Sequence, residues 1–410
     1  MSAFAELLSS ESTSTAPVQY LPEVVEIFDE IVTNRRWFHA HPELSFEEVQ
    51  TAAKIVEILR SYGIEEIFEG VGRTGVVALI RGASEGPCVA LRADIDALPV
   101  LETAKVEYVS QNSGVMHACG HDGHIAGLLA AAKVLWGQRQ TLRGCVKLLF
   151  QPAEEGYGGA REMIKEGVLE EGNLGPRVDS VYGIHLWSFL GLGNIGCQEG
   201  PIMAASDKFV ITVKGKGGHG AAPQGTVDAI VEAAAVVTSL QTIVSRNKDP
   251  LDSGVVTCGM IKGGYGYNII ADKVEITGTS RSFTPQTQAL IKERMGCICC
   301  GVAQTYGGEI DLEYVHGYPP TVNAYPECNR VVTTAAAKIV GPERASQPQK
   351  TMGAEDFSYF LEARKGCFLF VGAALPGETR PHHKSVFDFD ERALMVSASV
   401  FIQIIRDLLG

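Results

Sequence analysis

A short histidine-rich segment carries side chains that could bind a metal. Residues 116–124 read MHACGHDGH and combine three histidines with a cysteine. A thiolate at Cys119 and an imidazole at His121 can converge on one ion if the backbone is extended, and Gly120 would permit a close approach. Asp122 could hold an imidazole by its second nitrogen, which fixes the tautomer of a metal ligand. The alternative is a polar loop at the start of a helix, and these residues alone leave it open.

Two further segments place polar groups at the ends of apolar strands. Glu154 and Glu155 follow the apolar run Val146–Phe150, and His185 lies near the end of Val181–Leu186. The α/β folds place their sites at such strand ends. There, one carboxylate could bind a metal while its neighbour takes a proton from a metal-bound water. Alone, the acidic pair could be a solvated turn and the histidine a core residue, so the interpretation depends on all three segments occurring together.

The elements that must position these residues alternate between strands and helices. The hydrophobic pattern predicts a helix at 45–61, strands at 76–80 and 88–91, a helix at 121–137, a strand at 146–150, a helix at 160–168 and a strand at 181–186. This alternation predicts an α/β sheet with helices on its faces.

The order of predicted strands and helices changes in the middle of the chain. The pattern there predicts a strand at 208–214, a helix at 227–244, strands at 255–261 and 274–283, a helix at 287–305 and a strand at 309–315. This order, β-α-β-β-α-β, is the ferredoxin-like split unit. The α/β pattern then resumes, with helices at 327–340, 355–362 and 391–409 and a strand at 368–372. We therefore predict a flexible tail at 1–20, a discontinuous α/β domain at 21–205 and 317–410, and an inserted α+β domain at 206–316.

Composition excludes several classes of function. The 410 residues are 45% hydrophobic and 20% charged, which is ordinary for a folded protein. A formal net charge of −13 argues against nucleic acid or an anionic membrane as the main partner. The N-terminus lacks the pattern of a secretory signal, and the ten cysteines are scattered, so we expect reduced thiols in a cytoplasmic protein. The cluster Cys297, Cys299 and Cys300 falls within a helical pattern and is interpreted as packing rather than as a metal site.

Together the motifs resemble one family of peptidase-like, two-metal amidohydrolases. That family contains aminoacylases, hippurate hydrolases and the plant hydrolases of auxin–amino acid conjugates. The resemblance is carried by LRADIDALP (91–99), MHACGHDGH (116–124), LFQPAEEG (149–156), GIHL (183–186), GKGGHGAAP (215–223), NIIAD (268–272), GAEDFSYF (353–360) and HKSVFDF (383–389). It covers nearly the whole chain, and the ordered pair MHACGHD and QPAEE is its most specific part. It implies an α/β/α metallohydrolase domain whose inserted ferredoxin-like domain serves as lid and dimerisation domain.

The resemblance also implies a metal centre. Two divalent ions would be bound by Cys119, His121, Glu155, His185 and His383, with Cys119 bridging them. A thiolate and imidazoles suit zinc, while imidazole with carboxylate also accommodates manganese, cobalt or nickel. Manganese or zinc is the expected metal, with cobalt or nickel as alternatives.

Further roles follow from the same resemblance. Glu154 matches the general base, and Asp94 matches a residue that steers a nearby catalytic group. His219 matches a histidine that polarises the scissile carbonyl, often from the neighbouring subunit of a dimer. Asn268 and Arg281 match residues that hold the carbonyl or terminal carboxylate of the substrate, and the planar fork of arginine suits a carboxylate.

The chain departs from the family pattern in places that remove no ligand. Ala271 stands where relatives often have proline, Ser385 stands where a proline is common, and Gln224 replaces a frequent second histidine. Two histidines adjoin in the last motif, so either His382 or His383 could be the ligand, and the ungapped spacing to the following FDF favours His383.

The expected activity is hydrolysis of the amide bond of N-acyl amino acids to a carboxylic acid and a free amino acid. The expected protein is a homodimer or higher homo-oligomer that acts on a small molecule. One alternative is a dipeptidase or carboxypeptidase of the same family, which uses the same chemistry. The other is a non-catalytic, metal-stabilised binding protein. No pattern in the sequence indicates which acyl group, amino acid or chirality is preferred.

Overall fold

The computed structural model describes residues 18–410, so most of the predicted tail lies outside the described residues. The strands are, in chain order, β1 (Ile67–Val71), β2 (Gly75–Arg81), β3 (Ser84–Asp94), β4 (Arg143–Gln151), β5 (Ser180–Gly191), β6 (Ile195–Gly196), β7 (Gly200–Met203), β8 (Ala205–Lys214), β9 (Gly218–His219), β10 (Gly254–Gly263), β11 (Ile269–Ile270), β12 (Lys273–Ser282), β13 (Glu309–Tyr318), β14 (Thr321–Asn323) and β15 (Gly366–Ala374). The α-helices are α1 (Pro22–Val25), α2 (Phe28–Ala40), α3 (Val49–Ser61), α4 (His121–Gln138), α5 (Gly159–Lys165), α6 (Ala229–Thr242), α7 (Pro285–Tyr306), α8 (Pro326–Val340), α9 (Ser358–Ala363) and α10 (Arg392–Leu409).

The chain forms two compact units, and the second lies within the sequence of the first. Among the described residues, the first comprises 18–200 with Val322–Gln349 and Asp356–Gly410, and the second comprises Pro201–Thr321 with Lys350–Glu355. The predicted fold class, an α/β domain interrupted by a smaller α+β domain, is confirmed.

The first unit is built on a mixed seven-stranded sheet in the order β1-β2-β4-β3-β5-β15-β6. Its four central strands β4, β3, β5 and β15 run parallel, while β1, β2 and β6 pair antiparallel at the edges. The central strands are buried along most of their length, which explains their nearly continuous apolar sequences. Because they are parallel, their carboxyl ends meet at one edge of the sheet, where the predicted metal-binding motifs follow.

Helices α4 and α10 form much of the core beside this sheet. Helix α4 begins with HDGHIAGLLAAA, and all of these residues are buried. Small and apolar side chains on every face allow α4 to be enclosed by its neighbours, which include α2, α3 and α10. The predicted metal-binding motif at its first turn therefore belongs to a well-buried helix.

The second unit is a four-stranded antiparallel sheet in the order β10-β12-β8-β13, packed against α6 and α7. This is the arrangement of a ferredoxin-like β-α-β-β-α-β unit, as predicted. The segment Ala229–Asn247 is long and apolar enough to cross a membrane by length and composition alone. Its buried residues, among them Ala233, Val236 and Leu240, belong to the core of this unit.

Two differences from the predicted elements bear on the site. The first predicted helix, at 45–61, begins only at Val49, because Glu48 precedes it and turns its side chain into the core. The helix predicted at 355–362 begins at Ser358. Asp356 lies before it, and its carboxylate accepts hydrogen bonds from Arg92 and Gln151.

Candidate metal and catalytic site

The five predicted metal ligands lie together in the first unit. The ligand atoms of Cys119, His121 and His185 lie within 4.8 Å of one another, and so do those of Cys119, Glu155 and His383. Sγ of Cys119 is 3.5 Å from Nε2 of His185, and Nε2 of His383 is 3.4 Å from Oε1 of Glu155. Cys119 therefore belongs to both groups, which is the position that a thiolate bridging two ions would occupy. The assignment of each residue as a ligand stays a prediction.

Backbone contacts bring these segments together. Gly120 has φ +92° and caps the N-terminus of α4, so the chain turns sharply between Cys119 and His121 in a conformation that glycine adopts without strain. The backbone N–H of His383 donates to the carbonyl oxygen of Ala118 at 2.8 Å. This hydrogen bond joins the C-terminal loop to the CGHD turn although the two are far apart in the sequence.

Backbone carbonyls hold the rings of His121 and His185 in an orientation that would suit a metal ligand. Nδ1 of His121 is 2.9 Å from the backbone carbonyl of Asp96, and Nδ1 of His185 is 2.6 Å from that of Leu186. A ring that donates from Nδ1 presents Nε2 to a metal. Nε2 of His121 and Oε1 of Glu155 are buried and have no hydrogen-bond partner among the described residues. Buried polar atoms are normally paired, so a divalent cation fits this set of nitrogen, oxygen and sulfur donors.

The geometry distinguishes the two adjacent histidines. Nε2 of His382 accepts a hydrogen bond from the N–H of Ser188 at 3.1 Å, and its ring stacks on Trp187 at 4.8 Å between centroids. His383 instead lies with Cys119 and Glu155, and it has φ +63°, a left-handed conformation that is strained for a non-glycine residue. Such strain is concentrated at functional sites. The structure therefore favours His383 as the ligand.

Glu154 lies beside the ligands on a turn with unusual backbone geometry. Its carboxylate is buried and belongs to a group with His121 and Glu155 whose atoms lie within 4.8 Å of one another. The preceding residue, Ala153, has φ +52°. The N–H of Ala153 donates to Glu48 at 2.9 Å, and Oε1 of Glu154 is 3.4 Å from the N–H of Asp356. The turn thus holds a carboxylate where it can reach a molecule bound at the ligand cluster.

Two carboxylates that sequence reasoning missed support this turn. Glu48 accepts from Ala153 and Thr74, and burial raises its pKa to about 7. Asp96 accepts the N–H of Glu155 at 3.1 Å, and its other oxygen is 3.3 Å from Nδ1 of His121. The only signal in the sequence was that Asp96 belongs to the LRADIDALP motif. Nothing local marks Glu48, which resembles any acidic residue at the start of a helix.

Asp94 lies next to the ligand cluster, in the last position of β3. It accepts from Nδ1 of His124 at 2.5 Å and from Arg92 at 2.8 Å, and its Oδ2 is 3.4 Å from Nε2 of His121. Burial alone would raise the pKa of Asp94, but Arg92 and the neighbouring imidazoles hold it well below the ordinary value. Asp94 is therefore an anion that can orient the histidines, and its catalytic role stays a prediction.

The suggestion that Asp122 fixes a ligand imidazole is wrong. Its carboxylate accepts from Nε of Arg35 at 2.8 Å and lies 2.8 Å from Nδ1 of His39, which is not a member of any ligand group. The ligand rings are oriented by backbone carbonyls instead. Asp122 belongs to a buried ion network behind the site.

Three predicted substrate-binding residues belong to the second unit. His219 is exposed on β9, and Asn268 precedes β11, which pairs with β9. Nδ1 of His219 accepts the N–H of Ala221 at 3.0 Å, so the neutral ring carries its proton on Nε2 and can donate it. Arg281 lies on β12, half-buried, and donates to the carbonyl of Ser280. Their predicted roles towards substrate stay predictions.

Protonation of the metal-free site gives a testable prediction. Burial alone would lower the pKa of His121, but the carboxylates of Asp94 and Asp96 outweigh burial and raise it to about 10. Burial and the carboxylate of Glu155 raise the pKa of the Cys119 thiol well above its ordinary value. Both groups therefore carry a proton at neutral pH that a metal must displace. We expect metal binding to release about two protons and to tighten as the pH rises from about 6 to about 8.

Calorimetric titration with Zn²⁺ or Mn²⁺ in buffers of different ionisation enthalpy would count these protons. The variant Cys119→Ala should release about one proton fewer, since it lacks the thiol. A binding heat that does not depend on the buffer would contradict the prediction.

Comparison with known proteins gives matches over most of the chain. The model of the family described as "Peptidase family M20/M25/M40" matches residues 90–407. N-acyl-L-amino acid amidohydrolase from Geobacillus stearothermophilus is 44% identical over 306 residues, covering 73% of this chain and 81% of the relative. Thermostable carboxypeptidase 2 from Saccharolobus solfataricus is 41% identical, covering 92% of this chain and 94% of the relative. The solved structure of Bacillus subtilis YXEP protein, described as a dinuclear metal-binding peptidase from the M20 family, has a TM-score of 0.81 at 33% identity and covers 94% of this chain and 99% of its own.

Proposed function

Because this chain belongs to peptidase family M20/M25/M40 and is an amidohydrolase of that family, we propose that it hydrolyses the amide bond of N-acyl amino acids. The products would be a carboxylic acid and a free amino acid. The resemblance inferred from the motifs is confirmed at the level of the family. The observation that carries the proposal is the position of Cys119 in two ligand groups with Glu154 beside them.

Each residue of the site has a chemical task in this proposal. Cys119, His121, Glu155, His185 and His383 would hold two divalent ions, which when bound lower the pKa of a shared water and polarise the amide carbonyl. The Glu154 carboxylate accepts the proton of the attacking water and then delivers it to the departing amine nitrogen. Asp94 keeps the neighbouring imidazoles oriented. His219 would donate a hydrogen bond from Nε2 to the developing oxyanion.

The predicted substrate-binding residues of the second unit have separate tasks in this proposal. Arg281 carries the planar fork that binds a carboxylate, and Asn268 would hold the carbonyl. The resemblance to the family supports our proposal of a homodimer in which His219, an exposed residue, acts across the subunit boundary. The ten unpaired cysteines support our proposal of a cytoplasmic, reducing environment.

The competing activity is that of a dipeptidase or carboxypeptidase, since two relatives are named thermostable carboxypeptidases. The two activities differ in what lies on the acyl side of the scissile bond. A panel of N-acetyl and N-benzoyl amino acids and the matching free dipeptides would separate them, assayed with manganese, zinc, cobalt or nickel. We expect turnover of the acylated compounds and none of the free dipeptides. Turnover of the free dipeptides alone would replace the proposal with a dipeptidase, and no turnover with metal bound would favour a binding protein.

A further inference from the structure

One face of β5 continues from a candidate metal ligand to solvent as a row of aromatic rings. Successive side chains of a strand alternate between its faces, so His185, Trp187 and Phe189 share one face. The ring centroids of His185 and Trp187 are 5.5 Å apart, and those of Trp187 and Phe189 are 5.7 Å apart. The ring of His382 stacks on Trp187 and lies 5.9 Å from Phe189. We call Trp187, Phe189 and His382 the aromatic strip.

The aromatic strip has two features that a simple packing role does not explain. Phe189 is 58% exposed although it lies beside the candidate site. Nε1 of Trp187 is buried and has no hydrogen-bond partner among the described residues. An N–H donor thus lacks an acceptor next to an uncovered aromatic surface.

We propose that the aromatic strip is the acyl subsite and that it takes an aromatic acyl group, of the arylacetyl or aroyl class. This proposal rests on the proposed function and deepens it. The scissile carbonyl would lie at the ligand cluster that contains His185, and the acyl group would extend from it along the same face of β5. The unpartnered donor of Trp187 would bind an acceptor on the ring or linker of that group.

The strip suits the acyl side of the substrate rather than the amino acid side. The amino acid portion carries a carboxylate, which calls for a cationic side chain. Trp187, Phe189 and His382 offer flat aromatic surface and neutral donors, which suit an uncharged group. Aromatic rings that pack offset or edge to face gain free energy beyond the area they bury. Loss of one such ring should therefore reduce the preference for an aromatic acyl group about tenfold.

The test compares two acyl groups on one amino acid. With the metal-loaded protein, kcat/KM is measured for phenylacetyl-alanine, acetyl-alanine and, as a probe of the amino acid side, N-acetyl-phenylalanine in the wild type, Phe189→Ala and the control Tyr306→Ala. Tyr306 is exposed at the end of α7 in the second unit. We expect Phe189→Ala to lower kcat/KM about tenfold for phenylacetyl-alanine and less than about twofold for acetyl-alanine, with Tyr306→Ala unchanged. Equal losses for both substrates, or a selective loss for N-acetyl-phenylalanine, would overturn the proposal.

A binding measurement separates this proposal from the proposed function. Phenylacetate and acetate are titrated calorimetrically into the metal-loaded wild type, Phe189→Ala and Trp187→Leu. Tighter binding of phenylacetate that weakens about tenfold in Phe189→Ala would support the subsite even if no N-acyl amino acid is hydrolysed. If N-acyl amino acids are hydrolysed but phenylacetate binds no better than acetate in the wild type, the function stands and the subsite is refuted. Phe189→Ala changes an exposed side chain, so the test does not depend on Trp187→Leu being folded.

Discussion

Glu154→Gln is expected to lower kcat by about 10²–10⁴-fold or more while the protein keeps its metal. Glutamine has nearly the same shape but cannot accept the proton of the attacking water. Glu154 is buried and lies within 4.8 Å of the ligand atoms of His121 and Glu155. The measurement is kcat with the best N-acyl amino acid of the panel, together with the metal content of the purified variant.

Two further carboxylates serve as controls for this prediction. Glu155→Gln should lose metal as well as activity, because Glu155 is a predicted ligand. Glu171→Gln, which changes an exposed glutamate, should leave both unchanged. If Glu154→Gln retained near-normal turnover, Glu154 would not be the general base. If it lost its metal, Glu154 would be a ligand.

Arg35→Leu is expected to destabilise the protein by about 3–5 kcal/mol. Arg35 is fully buried and donates to Asp122 at 2.8 Å, to Asp388 at 2.9 Å and to Glu391 at 3.2 Å. Removing the guanidinium leaves buried carboxylates without a counter-charge. Asp122 lies next to His121, and Asp388 lies in the loop that carries His383, so metal affinity should fall too. Denaturant unfolding of the metal-free and metal-loaded proteins would measure both effects.

The neighbouring arginine provides a matched control. The Arg36 side chain is 43% exposed and pairs with Glu391 at 2.7 Å, so Arg36→Leu should cost less than about 1 kcal/mol.

Arg35 holds the pKa of Asp122 well below its ordinary value although burial alone would raise it. The ion pair between Arg35 and Asp122 therefore stabilises the protein at a pH above the pKa that Asp122 has in the unfolded chain. This stabilisation is lost as the pH falls. The difference in the free energy of unfolding between Arg35→Leu and the wild type should therefore become smaller in acid, because protonation of the Asp122 carboxylate removes the uncompensated charge. Equal losses in the two variants, or a deficit that grows in acid, would contradict this account.

The sequence by itself determined the class of fold and most of the candidate ligand set. Strands and helices of the α/β sheet follow from local hydrophobic periodicity, so their order was readable without tertiary information. The same holds for the β-α-β-β-α-β order of the second unit. Cys119, His121 and Glu155 were identifiable because each lies in a short motif whose residue types are rare in combination. In such motifs, neighbours in the sequence are also neighbours in space.

Tertiary structure alone decided how the site is supported. Arg35 and Asp388 are 353 residues apart in the sequence, and Glu48 and Ala153 are 105 apart, yet each pair is joined by a buried hydrogen bond. Whether a polar residue near a helix start is solvated or enclosed depends on what packs over it, and local periodicity carries no information about that.

The sequence spacing favoured His383 over His382, and tertiary structure supplied the physical difference between them. His382 accepts a hydrogen bond from Ser188, whereas His383 has a left-handed backbone and lies with Cys119 and Glu155. Likewise, Trp187 and Phe189 are simply apolar strand residues in the sequence. Their position beside His185 and His382 becomes apparent only when the C-terminal loop folds back onto β5. The motifs therefore determine which residue types the site contains. Long-range contacts determine where those side chains lie, because a buried charge or ring is positioned by partners from distant parts of the chain.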